Sequence, residues 1–171
     1  SQRGNGCKLP VSNLKLASGI CDVQRLFSMG INVALGTDSV ASNNNLDMLE
    51  EMKFFALLNK GFHNDPTLIT PEQAFLAATL HGAKAQGRMD CGALKVGNKA
   101  DFCVLDMDKP NLQPMHNALN NVVYAASGGD IVLTVCDGKV LYKDGEYTTI
   151  DLERTMHAVN AAKNRILAEL T

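Results

Sequence analysis

At 171 residues the chain is long enough for one domain with a sizeable core, and 46% hydrophobic against 20% charged residues is an ordinary globular balance. A net charge of −2 with no basic block gives no reason to expect nucleic acid or an anionic membrane as a partner. No apolar run approaches the ~20 residues of a membrane span, and the polar start Ser1-Gln2-Arg3-Gly4-Asn5-Gly6 is unlike a signal peptide.

Residues 1–6 read as a disordered lead or a remnant of expression. Cys7 to Leu16 begins with an extended segment, since Pro10 biases Leu9 away from helix. A helix over about Cys21 to Met29 follows, with Val23, Leu26 and Phe27 on one face and Gly30 as its stop. Ile31 to Gly36 is too apolar to be half exposed, which predicts a parallel strand covered on both sides. Gly36-Thr37-Asp38 ends it, and Ser42 or Asn43 is placed to cap the next helix, whose first turns carry Asp47, Glu50 and Glu51. Leu46, Leu49, Met52 and Phe55 trace its buried stripe, and it ends near Lys60-Gly61.

Phe62 to Leu68 is a loop. Thr70-Pro71-Glu72-Gln73 starts a further helix with cap, proline and glutamine in register, and it runs to about Leu80. From Cys91 the character changes to turns and strands. Ala100 to Asp106 reads as a strand, and Val122 to Ala126 as a strand or a short helix. Ile131 to Tyr142 around Asp137-Gly138 is a type I′ hairpin, and a second Asp-Gly pair follows at Asp144-Gly145. Asp151 caps a closing amphipathic helix that runs to Leu170.

The five cysteines (Cys7, Cys21, Cys91, Cys103, Cys136) are odd in number, with no C-x-x-C pair, so no disulfide framework is expected. Cys103 and Cys136 lie inside apolar runs and are expected to be buried, reduced thiols, which fits a cytoplasmic location.

Two βα units cannot close a parallel barrel, which needs eight, and an open parallel pair leaves apolar edges bare. The chain therefore reads as the tail of something larger. Chemistry in such barrels sits at the carboxyl ends of the strands, which makes Asp38 the first candidate. On spacing alone it is equally a turn or capping aspartate. Ser12 and Asn13, just after the preceding extended segment, are candidates to face the same mouth near a substrate, against a plainer role in turn hydrogen bonds. Asn43, Asn44 and Asn45 are candidates for a pocket wall, against caps and loop contacts.

The run P-V-S-N-L-K-L-A-S-G (Pro10 to Gly19), with G-I-N-V-A-L-G-T-D-S-V-A-S-N-N-N-L-D-M (Gly30 to Met48), resembles the amidohydrolase superfamily. Within it, the branch of S-adenosylhomocysteine and 5′-methylthioadenosine deaminases and triazine chlorohydrolases is the most similar. The later G-x-L-K-V-G-N-K-A-D-F-C-V-L-D (Gly92 to Asp106) and V-C-D-G-K-V-L-Y-K-D-G (Val135 to Gly145) resemble that superfamily's small β-sandwich.

The resemblance implies an α/β fold: the last two βα units of a (β/α)8 TIM barrel over residues 7–90, β-sandwich strands over 91–149, and a C-terminal helix over 150–171. It implies a divalent metal in the full-length enzyme, zinc with iron as the alternative, held by an H-x-H pair, two further histidines and an aspartate after the eighth strand. Asp38 matches that aspartate, with Ile31 to Gly36 as the eighth strand, in the roles of metal contact and proton transfer. The implied substrate is a small molecule, a nucleoside or related heterocycle, and the implied reaction is hydrolytic deamination.

The chain departs from the pattern in holding no H-x-H. Its histidines, His63, His81, His116 and His157, match none of the family's ligand motifs, and a catalytic zinc keeps three protein ligands and an open position. The expectation is that the chain alone is inactive, its partner being either the missing N-terminal barrel part or a second copy in self-association. The competing readings are a guanine or cytosine deaminase, a triazine chlorohydrolase, or a non-catalytic module that self-associates.

Overall fold

Two short strands set the frame of the computed structural model, which describes residues 4–170. β1 (Asn5–Lys8) and β2 (Asn32–Leu35) pair in parallel, Asn5 opposite Asn32 and Lys8 opposite Leu35. The lead expected over residues 1–6 does not hold at Asn5 and Gly6. Asn5 and Gly6 belong to β1, held there by the ladder to Asn32 and Val33, and residues 1–3 lie outside the described part.

Between the strands run α1 (Pro10–Lys15) and α2 (Val23–Ser28). The sequence gives no sign of α1 beyond Pro10 itself, which suits a first helical position because the amide it lacks would have no partner there. Asp22 caps α2 by accepting from the Arg25 amide at 3.0 Å, and Gly30 follows its end at φ +68°.

The residues Val33, Ala34 and Leu35 of β2 are buried, Val33 completely, as their apolar run predicts. Its amides at Asn32 and Gly36 donate to Gly4 and Lys8 of the β1 side. The peptide groups of Val33 and Leu35 alternate with these and so face the other way. Among the described residues no strand pairs on that outer edge. His81 meets it instead, with Nδ1 3.1 Å from the Val33 carbonyl, while Asn32 Nδ2 donates to the His81 carbonyl at 3.0 Å.

After β2 come α3 (Val40–Asn43), α4 (Met48–His63), α5 (Pro71–Ala78) and α6 (Leu80–Ala85). Neither Ser42 nor Asn43 caps α4. They lie in the short α3, which Ser39 caps, and Asp47 caps α4 by accepting from Leu49 and Glu50 at 2.8 and 3.3 Å. α4 passes through Gly61, where a stop was expected, and closes on Asn64 in the left-handed region. α5 starts with the expected reciprocal box. Gln73 Oε1 accepts from the Thr70 amide and Thr70 Oγ1 from the Gln73 amide.

Val33 and Leu35 of β2, with Leu49, Met52, Phe55 and Ala56 of α4 and Ala74 and Ala77 of α5, form one core with Leu112 and Val123. Val123 belongs to α7 (Ala118–Tyr124), so the segment around Val122 is a helix and not a strand.

The remaining strands, β3 (Phe102–Leu105), β4 (Ile131–Cys136), β5 (Lys139–Lys143) and β6 (Glu146–Tyr147), form one antiparallel sheet in that order. Asp137 and Gly138 both have positive φ, as the type I′ turn between β4 and β5 requires. No second sheet packs on this one among the described residues. Cys103 and Cys136 are accordingly exposed and not buried, and only Cys91 of the five free thiols is buried. Asp47 ties the two regions together, its Oδ2 accepting from the Gly128 amide at 2.8 Å. The chain closes with α8 (Leu152–Leu170), whose first turn donates from Arg154 N to Asp151 Oδ1.

Candidate active site

Because β1 and β2 run in parallel, the segments that leave Lys8 and Leu35 emerge at the same end of the pair. Pro10 turns the first into α1, which carries Ser12. Gly36, Thr37 and Asp38 carry the second toward α3. Gly36 makes the approach possible, since a Cβ there would stand 3.1 Å from Leu9 Cδ2 and 3.4 Å from Cys7 Sγ. Asp38 adopts φ +65°, a left-handed conformation that aspartate tolerates better than most side chains.

The two segments meet at one hydrogen bond. Ser12 Oγ donates to Asp38 Oδ2 at 2.8 Å, with Ser12 buried and Asp38 exposed. The Ser12 hydroxyl first, then the Ser42 hydroxyl and the Ser39 backbone amide, hold the Asp38 carboxyl below the usual carboxylate range. It is an ionised acceptor open to the outside.

Beneath it lies a buried polar cluster. Asn43 Nδ2 donates both to the Thr37 carbonyl at 2.5 Å and to Glu51 Oε1 at 2.6 Å. Glu51 Oε2 accepts from the Val11 amide at 3.2 Å. Burial raises the Glu51 carboxyl above its ordinary value, against the lowering effect of the Val11 and Asn43 donors. Asn43 is thus an internal bridge and not a wall residue. Asn44 is the left-handed end of α3 and pairs with Lys15, and Asn45 pairs with Glu50.

Asn13 does not join Ser12 and Asp38. It lines a cavity of about 20 Å³ with Pro10, Val23, Phe55 and Asn59. His63 stands 3.2 Å from Asp22, and His81 is engaged at the β2 edge. Among the described residues no three His, Cys, Asp or Glu side chains gather as a metal site. Asp38 supplies one oxygen donor, and the donor set of a catalytic zinc is not met by these residues alone. No metal step is derived from them.

Sequence reading overlooked Glu51, which it took for a charge at a helix start. A signal was present. Glu51, Phe55 and Asn59 stand at i, i+4 and i+8 on the buried face of α4, so two polar side chains share the apolar stripe.

Comparison with known proteins places the chain in a class. The chain belongs to the amidohydrolase family, whose model matches residues 2–141. A 5-methylthioadenosine/S-adenosylhomocysteine deaminase from Thermococcus onnurineus is 50% identical over 137 residues, covering 80% of this chain and 32% of that protein. A 5′-deoxyadenosine deaminase from Methanothermobacter thermautotrophicus is 45% identical over 162 residues, covering 95% and 37%. The crystal structure of a zinc-bound adenosine deaminase from Xanthomonas campestris superposes with a TM-score of 0.93 at 35% identity, covering 96% of this chain and 38% of that one. An atrazine chlorohydrolase from Arthrobacter aurescens, solved with zinc, matches at TM-score 0.81 and 25% identity over 91% and 35%. The chain spans about a third of the length of these relatives.

Proposed function

We propose that this chain is the carboxyl-terminal third of a zinc-dependent hydrolase that deaminates an adenosine-type nucleoside, with Asp38 as its contribution to the reacting centre. The observation that carries the reading is the pairing of Ser12 with Asp38 at the shared carboxyl end of β1 and β2. The names of the relatives, with methylthioadenosine, S-adenosylhomocysteine or 5′-deoxyadenosine as substrate, support the nucleoside. In this reading β1 and β2 are the last two strands of the barrel, and the outer edge of β2 awaits a strand from the preceding two thirds of the polypeptide.

The reaction adds water to the amino-bearing ring carbon and expels ammonia. Asp38 accepts a proton from the attacking water and returns it to the departing nitrogen. Asp38 stands ionised and exposed at neutral pH, with Ser12 Oγ on one carboxylate oxygen to aim it. Residues beyond this segment supply the other metal ligands and the grip on the nucleoside. The five free thiols support a reducing, cytoplasmic setting.

The test is ammonia release from 5′-methylthioadenosine, S-adenosylhomocysteine and 5′-deoxyadenosine by the full-length polypeptide and by the 171-residue chain alone. The full-length protein is expected to be active, to lose about 10²-fold or more on Asp38→Asn, and the isolated chain to be inactive and to self-associate in light scattering. Full activity in the Asp38→Asn protein overturns the reading, as does turnover by the isolated chain. Chloride release from a triazine in place of ammonia from a nucleoside moves the protein to the chlorohydrolase branch.

A further inference from the structure

We propose that Glu51 is a positioning residue that fixes, from inside the fold, the two segments that bring Ser12 and Asp38 together. The inference rests on the reading of Asp38 as the reacting carboxylate. Glu51 is 1% exposed, and among the described residues no cation pairs with either of its oxygens. A buried carboxyl costs stability that an apolar residue at that place would not, so its presence calls for a local reason.

The reason is a closed circuit. One arm runs from Glu51 Oε2 to the Val11 amide, one residue before Ser12. The other runs from Glu51 Oε1 through Asn43 Nδ2 to the Thr37 carbonyl, one residue before Asp38. The Ser12–Asp38 bond closes the circuit on the side opposite Glu51. The first arm also fills a local need. Leu9 precedes α1 with no side-chain cap and Pro10 has no amide, so the Val11 amide is an orphan donor that Glu51 satisfies from another helix. The second arm holds the peptide before a residue at φ +65°, where the chain needs support to stay. One rigid helix thereby sets both loops.

Glu51→Gln keeps the shape but turns an NH2 toward one of two donors, which breaks one arm. In the full-length protein, kcat is expected to fall about tenfold with KM changed by less than about twofold. Amide exchange across residues 36–43 is expected to accelerate by a similar factor, about tenfold, with β2 still protected. Val123→Ala, a core truncation in α7 outside the circuit, is the control: it lowers the melting temperature and leaves kcat unchanged. If Glu51→Gln fails to fold, Asn43→Ala, which cuts only the arm to Thr37, carries the same expectation.

Unchanged kcat or unchanged exchange in these variants overturns the proposal. So does a kcat loss in Val123→Ala of the same size at the same loss of stability, which would make the effect one of stability alone. A fully active Asp38→Asn protein overturns the Asp38 reading itself. Inactivity of Asp38→Asn beside full activity of Glu51→Gln overturns only the circuit.

Discussion

Ser12 and Asp38, 26 positions apart in sequence, share a 2.8 Å hydrogen bond whose donor is buried and whose acceptor is exposed. The asymmetry sets the outcome of removing the donor. In Ser12→Ala, water takes over the exposed acceptor, so the fold loses little while the carboxylate loses its aim. The expected result is a kcat about tenfold lower with a nearly unchanged melting temperature at neutral pH. Asp38 is lowered in the folded state, so its hydrogen bonds stabilise above the unfolded value of 3.8 and the effect is lost as pH falls through the folded value. Ser12→Ala is therefore slightly less stable than the parent at neutral pH, and the gap closes as pH falls from 3.8 through the folded value, as denaturation at stepped pH checks.

Asp130 makes the corresponding test in the second block. It is 4% exposed and accepts from the Ser127 amide at 2.8 Å, the Ser127 hydroxyl at 3.2 Å and Asn111 Nδ2 at 3.1 Å, with Lys109 Nζ at 3.4 Å. Burial alone pushes its carboxyl up, but these donors together hold it below the ordinary value. Asp130→Asn is expected to cost about 2 kcal/mol by urea denaturation at neutral pH. Because the folded value is lowered, the contribution is present above 3.8 and disappears as pH falls through the folded value, so the gap between variant and parent narrows in acid below 3.8.

Gly92 and Gly97 separate packing from backbone strain. Both have positive φ, +84° and +91°. A Cβ on Gly92 would lie 2.8 Å from Ala83 Cβ and 3.0 Å from Leu80 Cα, whereas one on Gly97 meets nothing within 4 Å. Gly97→Ala is expected to cost about 1 kcal/mol of backbone strain, and Gly92→Ala roughly 2–3 kcal/mol, the excess being overpacking against α6. Equal unfolding midpoints for the two variants would contradict this.

Most elements announce themselves through local chemistry. Thr70-Pro71 and Gln73 carry the start of α5 in three side chains, and Asp137-Gly138 carries its turn in two backbone conformations. The strand at Ile31 to Gly36 follows from its apolar run Val33-Ala34-Leu35. What stayed hidden depends on partners far along the chain. α1 is capped by Glu51, 40 residues away from Val11, so no local pattern around Pro10 reports it. Cys103 and Cys136 sit in apolar runs, yet a strand's burial depends on a second layer, which the described residues do not provide. Asp38 could be singled out by its position after a buried strand, but its partner Ser12 could be chosen over Asn13 only once α1 was known to be a helix with one buried side.

The last helix bears on how the chain can be observed. None of the 19 residues of α8 is buried. Helical stability in proteins comes mostly from packing an amphipathic face, and no side chain of this helix is buried against the rest of the fold. Its apolar side, with Leu152, Met156, Val159 and Ile166 all more than half exposed, lowers its free energy only when something covers it. The helical content of residues 152–170 is thus a built-in gauge: circular dichroism rises or falls with docking, and the chain's own tail reports whether it has found its complement.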